Sequence, residues 1–492
     1  MLVEIRPTAR LRGENAVDLT AALGPVFGSL TAGNGAAPPT DLSRLRVVAD
    51  WVQYRENFRT PVALRPVVGS DTVELALDLR GIASAAPGDI ASRVTAALYS
   101  ECGDDAGRPG RGLLLEDWRP TSRSLIWSFN SLYWQHLRRW EEATGHGYES
   151  ALPGGRSDAR HLGPVREAIA GLFATWDSLA ERRALPEELY VVELGVGNGN
   201  QASTWLDTFA EMDREHGRDY YRRLHYLMCD YSPHVLELAR AAVRGHAEHV
   251  SSLVLDALRP MTSLSFLRFK VFFVYISNVY DNLPTDEIAT IGQREHLVET
   301  RAYLPEADAT AIAARLHTSP DALAGLVEKL LRLGPELLAE AAPQQFPDVP
   351  AAVGLWRACW QAVKLQERYV PLHGLDTYEI AQGINGELLR PLLAGGGDVR
   401  LHVSNGAATS FAETVPLLHP YGRLHCHDLF VTDPQQYRTG FRGPGKYDGS
   451  VVNWVNGPLL AHLGARKGFD VAFAPFQRSG SNIVTMTADV RD

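Results

Sequence analysis

Apolar and polar positions follow three different rhythms along this chain. Over residues 45–79 the period is two, clearest in Thr72-Val73-Glu74-Leu75-Ala76-Leu77-Asp78-Leu79, which predicts half-buried strand. Residues 122–142 change to helical spacing and carry Trp127, Phe129, Tyr133, Trp134 and Trp140. From residue 161 short apolar runs alternate with amphipathic stretches. Helices are predicted over 165–184, 201–215 and 233–244, and strands over 189–194, 224–229, 252–255 and 269–276. Short apolar strands separated by helices predict a parallel sheet covered on both faces. Residues 285–390, rich in Ala, Leu and Glu, interrupt the rhythm. Helical spacing at 321–338 and 352–369 predicts a helical cap there, either covering an active site or simply extending the core. Strand returns at 399–403, 423–431, 469–473 and 483–487. The fold class expected is therefore α/β: a doubly wound, Rossmann-like sheet with a helical insertion and an N-terminal α+β region. The expected boundaries are 1–120 for the N-terminal region, 121–284 for the first part of the sheet domain, 285–395 for the cap and 396–492 for the strands that complete the sheet. Gly- and Pro-rich loops are read at 31–40, 102–111 and 145–160.

Composition narrows the class. At 492 residues the chain exceeds a single ordinary core. Its 45% hydrophobic and 22% charged content excludes a wholly disordered or fibrous protein. Cys102, Cys229, Cys359 and Cys426 lie far apart, so no disulfide framework or zinc ribbon is written, and scattered thiols suit a reducing compartment. A net charge of −10 argues against nucleic acid as a partner. The first twenty residues carry charges throughout and lack the apolar segment of a signal peptide. The longest purely apolar run, 271–276, falls far short of the roughly 20 residues that cross a bilayer. A cytoplasmic location without a membrane partner is the expectation.

The chemistry concentrates at Tyr190-Val191-Val192-Glu193-Leu194-Gly195-Val196-Gly197-Asn198-Gly199-Asn200-Gln201. A buried strand ends in alternate glycines and runs into a helix, so the backbone can lie against a ligand and offer unpaired N–H groups. A dinucleotide fingerprint wants G-x-G-x-x-G, whereas here the third glycine comes one residue early and Asn200 takes its place. E-x-G-x-G-x-G after a strand resembles the first signature of class I S-adenosylmethionine (SAM) methyltransferases. The next strand ends at Asp230, a carboxylate able to accept both ribose hydroxyls of a nucleoside; Ser232 is the better-placed cap for the helix that follows. The third strand ends in Asp256 and Ala257, an acid and a small residue suited to an adenine edge. Glu193, Gly195, Gly197, Gly199, Asn200, Asp230, Tyr231, Asp256 and Ala257 are the expected SAM-binding residues. At the tip of the fourth strand, Asn278, Tyr280 and Asp281 are the candidates for holding the methyl acceptor: Asn278 could orient an amine and Asp281 could take a proton. A turn closed by Asn and Pro is the competing reading of this segment.

The motifs also resemble the MidA-type SAM methyltransferases, which include the mitochondrial complex I assembly methyltransferase. Gly145-His146-Gly147-Tyr148 followed by Gly155-Arg156-Ser157-Asp158-Ala159 is similar to that family's GYY and GDF-type elements. Glu193 to Gly199 matches its glycine motif, Ser277 to Pro284 is similar to its N-E-x-x-D-A-L-P, and Gly445 to Asn453 faintly resembles its G-E-Q-D-I-T-x-H-V. The resemblance spans roughly 120–490. It implies SAM as cofactor and, from members of known activity, an arginine side chain of a partner protein as acceptor. Departures bear on the second point. Val279 stands where the family has Glu, Glu149 follows Tyr148 in place of a second Tyr, and Trp454 and Asn456 depart from the late motif. A guanidinium must lose a proton to be methylated, so the missing acid favours another acceptor. The expectation is methyl transfer to an N or O atom of a small molecule of natural-product type. A protein arginine, or a degenerate SAM-binding assembly factor, remains open. A homodimer is also left open.

Three further constellations compete for chemistry. His425 and His427 would share a strand face, but no third or fourth ligand is near, so no metal is expected. Trp127, Tyr133, Trp134 and Trp140, like Trp356 and Trp360 in the insertion, fit core packing better than a substrate cavity. An NAD-dependent oxidoreductase is disfavoured by the glycine spacing and Glu193, and G-x-S-x-G, H-E-x-x-H and P-loop motifs are missing.

Overall fold

A computed structural model of the chain describes residues 2–5, 19–31, 42–50, 52, 54–82, 85–99, 112–148, 162–394, 397–438, 443–476 and 483–491. Cys102, its Gly-rich loop and the Gly155–Ala159 motif lie outside the described residues.

The N-terminal region pairs β1 (Leu2–Ile5), β2 (Leu45–Asp50), β3 (Val62–Pro66) and β4 (Val73–Asp78) in the order β1-β2-β4-β3, only β3 running antiparallel. Helices α1 (Leu19–Thr31) and α2 (Pro87–Leu98) accompany the sheet. Ile90, Val94 and Leu98, spaced by four, point from α2 into a core shared with Val47, Leu75 and Leu77. The aromatic segment forms α3 (Ile126–Gln135) and α4 (Leu137–Thr144), broken at His136.

The main sheet begins after α5 (Leu162–Glu181). Its first strands are β5 (Leu189–Leu194), β6 (Leu224–Asp230), β7 (Val250–Val254) and β8 (Val271–Ser277), with α6 (Asn200–Glu215) and α7 (Pro233–Ala242) between. Next come β9 (Asp286–Ile291), β10 (Arg294–Pro305), α8 (Glu306–Arg315), α9 (Pro320–Ala341), α10 (Val349–Ala362), β11 (Lys364–Pro371) and β12 (Arg400–Val403). The chain then returns through α11 (Asn405–Thr414) to β13 (Leu418–Asp428), α12 (Gly457–Lys467), β14 (Phe469–Pro475) and β15 (Val484–Val490).

Seven strands align as β14-β15-β13-β8-β5-β6-β7, parallel except for β15. Both faces are covered, as the apolar runs require. Val191 packs with α5 and α6 on one face, while its neighbour Val192 packs with α11 and α12 on the other. This is the doubly wound α/β sheet expected. The order reverses between β5 and β8, and ligands of such sheets bind in the crevice outside the strand ends at that point.

The insertion differs from expectation. Residues 285–395 are not a purely helical cap: α8, α9 and α10 accompany an antiparallel sheet, β11-β10-β9-β12, to which residues 112–114 and 119–120 add edge pairs. The stretch 352–369, read as one helix, ends its helix at Ala362 and continues as β11 with strictly alternating burial from Lys364 to Val370. Residues 400–403 join this second sheet rather than completing the main one. Helix α9 is kinked at Gly334, whose φ of 77° lies next to Pro335. A Cβ on Gly334 would stand 2.5 Å from His136 Nε2, so the α3–α4 break packs into the kink. No helix among the described residues is long and apolar enough to cross a membrane.

Candidate functional site at the sheet switch point

Gly195, Gly197 and Gly199 all adopt positive φ, at 77°, 58° and 82°. Two of these positions show why the chain needs glycine there. A Cβ on Gly199 would meet the Ala239 backbone at 2.6 Å, so this glycine lets α6 start hard against α7. A Cβ on Gly197 would lie 2.9 Å from the hydroxyl of Tyr148. That hydroxyl accepts the Asn198 N–H at 3.0 Å, and Asn198 in turn accepts the Asn200 N–H at 3.1 Å. Val279 covers Gly195, its Cγ2 being 2.3 Å from where a Cβ would go.

Asp230, at the end of β6, braces the same loop. One oxygen accepts the Gly197 N–H at 3.2 Å and the other the Ser232 N–H at 2.9 Å; the Tyr231 N–H also bonds the carboxylate, which still leaves it capacity to accept a hydroxyl donor. Burial raises its carboxyl to about 6, against the backbone N–H bonds that favour its charge. Ser232 caps α7 by accepting the Val235 N–H, which leaves Asp230 to the loop. Glu193 is engaged by the neighbouring strand β6. It is buried within β5 and accepts the Tyr226 hydroxyl at 2.6 Å. Burial pushes its carboxyl up to about 8; the Tyr226 bond opposes this and the Asp230 charge adds to it. Asp256 is exposed just past β7, one oxygen taken by the Leu258 N–H at 2.9 Å and the other left open, with half-buried Ala257 beside it. Tyr231 accepts Gln135 Nε2 at 2.7 Å.

The α3–α4 hairpin therefore roofs this crevice: Tyr148 over Asn198, Gln135 over Tyr231, and Glu141 3.5 Å from His234. Aromatic rings stiffen the roof, with Tyr133 stacked edge-on against Trp134 and Trp140, and Trp134 against Tyr148. Asp448, from the late motif, accepts Tyr133 Oη and Trp140 Nε1, both at 3.0 Å. Trp127, Trp356 and Trp360 are core residues. Tyr148, absent from the set of site residues read from the sequence, was marked only by its Gly-His-Gly-Tyr context.

At the β8 tip the three acceptor candidates separate. Asn278 is exposed, with φ 52°, and donates its N–H to the His427 carbonyl. Tyr280 is 1% exposed and packed into the core, so it does not face the crevice. Asp281 is buried and shares a hydrogen bond with Asp428, the last residue of β13. The backbone N–H groups of Val279 and Tyr280 donate to Asp428 at 3.1 and 2.8 Å, with Asp281 at 3.4 Å. Burial and the Asp428 charge hold the Asp281 carboxyl well above its usual range, while Asp428 reaches about 6. A hydrogen bond between two carboxyls needs one proton, which the Asp281–Asp428 pair shares, and the pair helps to lock the turn. His425 and His427 meet Phe273 and Thr485, and among the described residues no His, Cys, Asp and Glu gather as a metal site.

Comparison with known proteins agrees with the character of this crevice. Residues 170–346 match the family model described as "Putative S-adenosyl-L-methionine-dependent methyltransferase". A search of curated proteins finds no match. Among solved structures, the chain is similar to a COG1565 superfamily member from Burkholderia thailandensis bound to S-adenosyl-homocysteine, at 15% identity and TM-score 0.42, covering 76% of this chain and 88% of that one. A native structure of a COG1565 superfamily protein from the same organism gives 14% identity and TM-score 0.40 over 76% and 87%. DszA carbon methyltransferase gives 12% and 0.32 over 75% and 67%. Likeness this distant assigns neither activity nor ligand. The family match supports a SAM-dependent methyltransferase with SAM as cofactor, and the match spans the glycine loop, Asp230, Asp256 and the β8 tip.

Proposed function

We propose that the chain transfers a methyl group from SAM to an N or O atom of a small molecule. The observation that carries this reading is Asp230: a raised carboxylate with acceptor capacity left beyond its backbone N–H bonds, ending the strand beside a loop of positive-φ glycines at the switch point. That acceptor fits a ribose hydroxyl of a nucleoside, and the open oxygen of Asp256 fits an exocyclic amine. SAM, when bound, supplies an electrophilic methyl group on a sulfonium. The protein's part is alignment and exclusion of water: the glycine loop holds one end of the cofactor, the acids hold the other, and the aromatic roof closes over them.

The nature of the acceptor follows from what the β8 tip offers. Val279, over Gly195, has no proton-accepting group, and Asp281 is buried, with its carboxyl held well above the usual range, and engaged with Asp428. Neither can deprotonate a guanidinium. This favours an acceptor that is already nucleophilic, such as an amine or an acidic hydroxyl, which exposed Asn278 could orient, over the protein arginine that MidA-type resemblance implies.

Isothermal titration with SAM, S-adenosylhomocysteine and NAD, with Asp230→Ala alongside, tests the cofactor. Micromolar binding of the first two, lost in the variant, is expected; binding of NAD alone would overturn the reading. S-adenosylhomocysteine release measured with small amines and phenols against an arginine-rich peptide tests the acceptor. Turnover with the peptide alone would reverse the choice.

A further inference from the structure

A second cleft, of about 460 Å³, opens between α8 and α10, away from the glycine loop. Its walls repeat at helical spacing: Asp308, Ile312 and Arg315 share one face of α8, and Arg357 and Gln361 lie one turn apart on α10. Lys364, the first residue of β11, closes one end. Three cations thus converge on one cleft of a chain whose net charge is −10. Among the described residues none of the three closes an ion pair. Arg357 donates only to the Ala143 carbonyl, at 2.9 Å, and Lys364 to the Asn57 and Arg59 carbonyls, at 3.2 and 3.5 Å. Arg315 is exposed. The negative groups nearby are Asp308 in the wall and Glu56 near Lys364, so positive charge remains in excess.

A surplus of cations around a concave volume of metabolite size calls for an anion. Arginines supply planar pairs of donors that match phosphate and carboxylate oxygens, and Gln361 adds a neutral donor. We propose that this cleft binds a small oxyanion-bearing molecule, held by Arg315, Arg357 and Lys364. The site is separate from the proposed cofactor crevice and stands whatever that crevice binds. It adjoins the roof through Arg357, which grips the last turn of α4.

Titration of the full chain at low ionic strength with inorganic phosphate, pyrophosphate and succinate tests the proposal. Saturable binding of at least one is expected, weakened roughly tenfold by Arg315→Gln and further by adding Arg357→Gln, and tightened by Asp308→Asn. A preference for the phosphates would point to a phosphate ester and a preference for succinate to a polycarboxylate; both support the site. No saturable binding of any probe, or binding unchanged in Arg315→Gln and Asp308→Asn, would overturn it. Arg315 is exposed and Asp308 forms no ion pair, so these two variants leave the fold intact, and an unchanged thermal melt checks that.

Discussion

Replacing Asp230 by Asn should move cofactor binding and stability in opposite directions, through the same proton. The folded carboxyl titrates at about 6, against 3.8 for the ordinary side chain. The native state therefore binds more protons than the unfolded state between these values. Stability from this group is full at pH below 3.8 and is lost as pH rises through 6. A carboxylate at pH 7.5 is almost wholly charged, and at pH 5 about one in eleven is, which corresponds to roughly 1.4 kcal/mol. Binding that needs the charged form should weaken roughly tenfold from pH 7.5 to pH 5 in the wild type and stay flat in Asp230→Asn, where it is uniformly poor. Asn cannot carry the charge, so its stability relative to wild type should improve by the same ~1.4 kcal/mol between pH 5 and pH 7.5. The loss of one acceptor for a backbone N–H, about 1–3 kcal/mol, is common to both pH values and cancels in that difference. Glu193, raised to about 8 from 4.5, also costs stability across this window, about 3 kcal/mol as its unfolded form ionises, but it does so in both proteins and cancels in their difference. Titration calorimetry with S-adenosylhomocysteine and thermal melts of both proteins at the two pH values give the readout. Affinity independent of pH in the wild type, or a variant whose relative stability does not change, would refute the claim that a buried, charged Asp230 holds the ligand.

Other perturbations follow from the same geometry. Gly199→Ala places a Cβ against the Ala239 backbone at φ 82° and should cost at least about 2 kcal/mol, read as a lowered melting temperature. Gly197→Ala should instead weaken SAM binding, and part of its stability loss should return in the double variant with Tyr148→Phe, because the Tyr148 hydroxyl is what the new methyl meets. Glu367 accepts from Arg59 at 2.8 Å and from Arg400 at 3.0 Å and pairs with Arg65, all buried. Glu367→Ala should cost about 3–5 kcal/mol and loosen the N-terminal sheet from β11, visible as faster amide exchange in β3 and β4. Asp428→Asn removes the charge that three N–H groups share and the carboxylate bonded to Asp281; a lowered melting temperature with cofactor affinity kept within about threefold is expected, because the buried pair supports the turn.

The doubly wound sheet was legible in the sequence because its central strands β5, β6 and β8 are buried on both faces and its helices on one, so residue type alone separates them. Strand ends were legible for the same reason: the glycines, Asp230 and Asp256 break apolar runs at the places where a parallel sheet must present its ligand. Ser232 could be recognised as the cap because Pro233 follows it, and the cap geometry is local. The insertion was misread where two rhythms abut without a break. Residues 352–369 change from period 3.6 to period two at Val363, with no Gly or Pro to mark it, and β10 alternates too evenly with charged residues to resemble the buried strands around it. Only tertiary structure could decide the rest. That Glu193 turns to Tyr226, that Asp281 is locked to Asp428, and that Tyr148 and Val279 lie over the glycine loop all depend on which segments 33 to 147 residues apart come to share a surface. Long-range packing also gathered Arg315, Arg357 and Lys364 around one cleft, because helical period places side chains on a face but says nothing of which helix that face will meet.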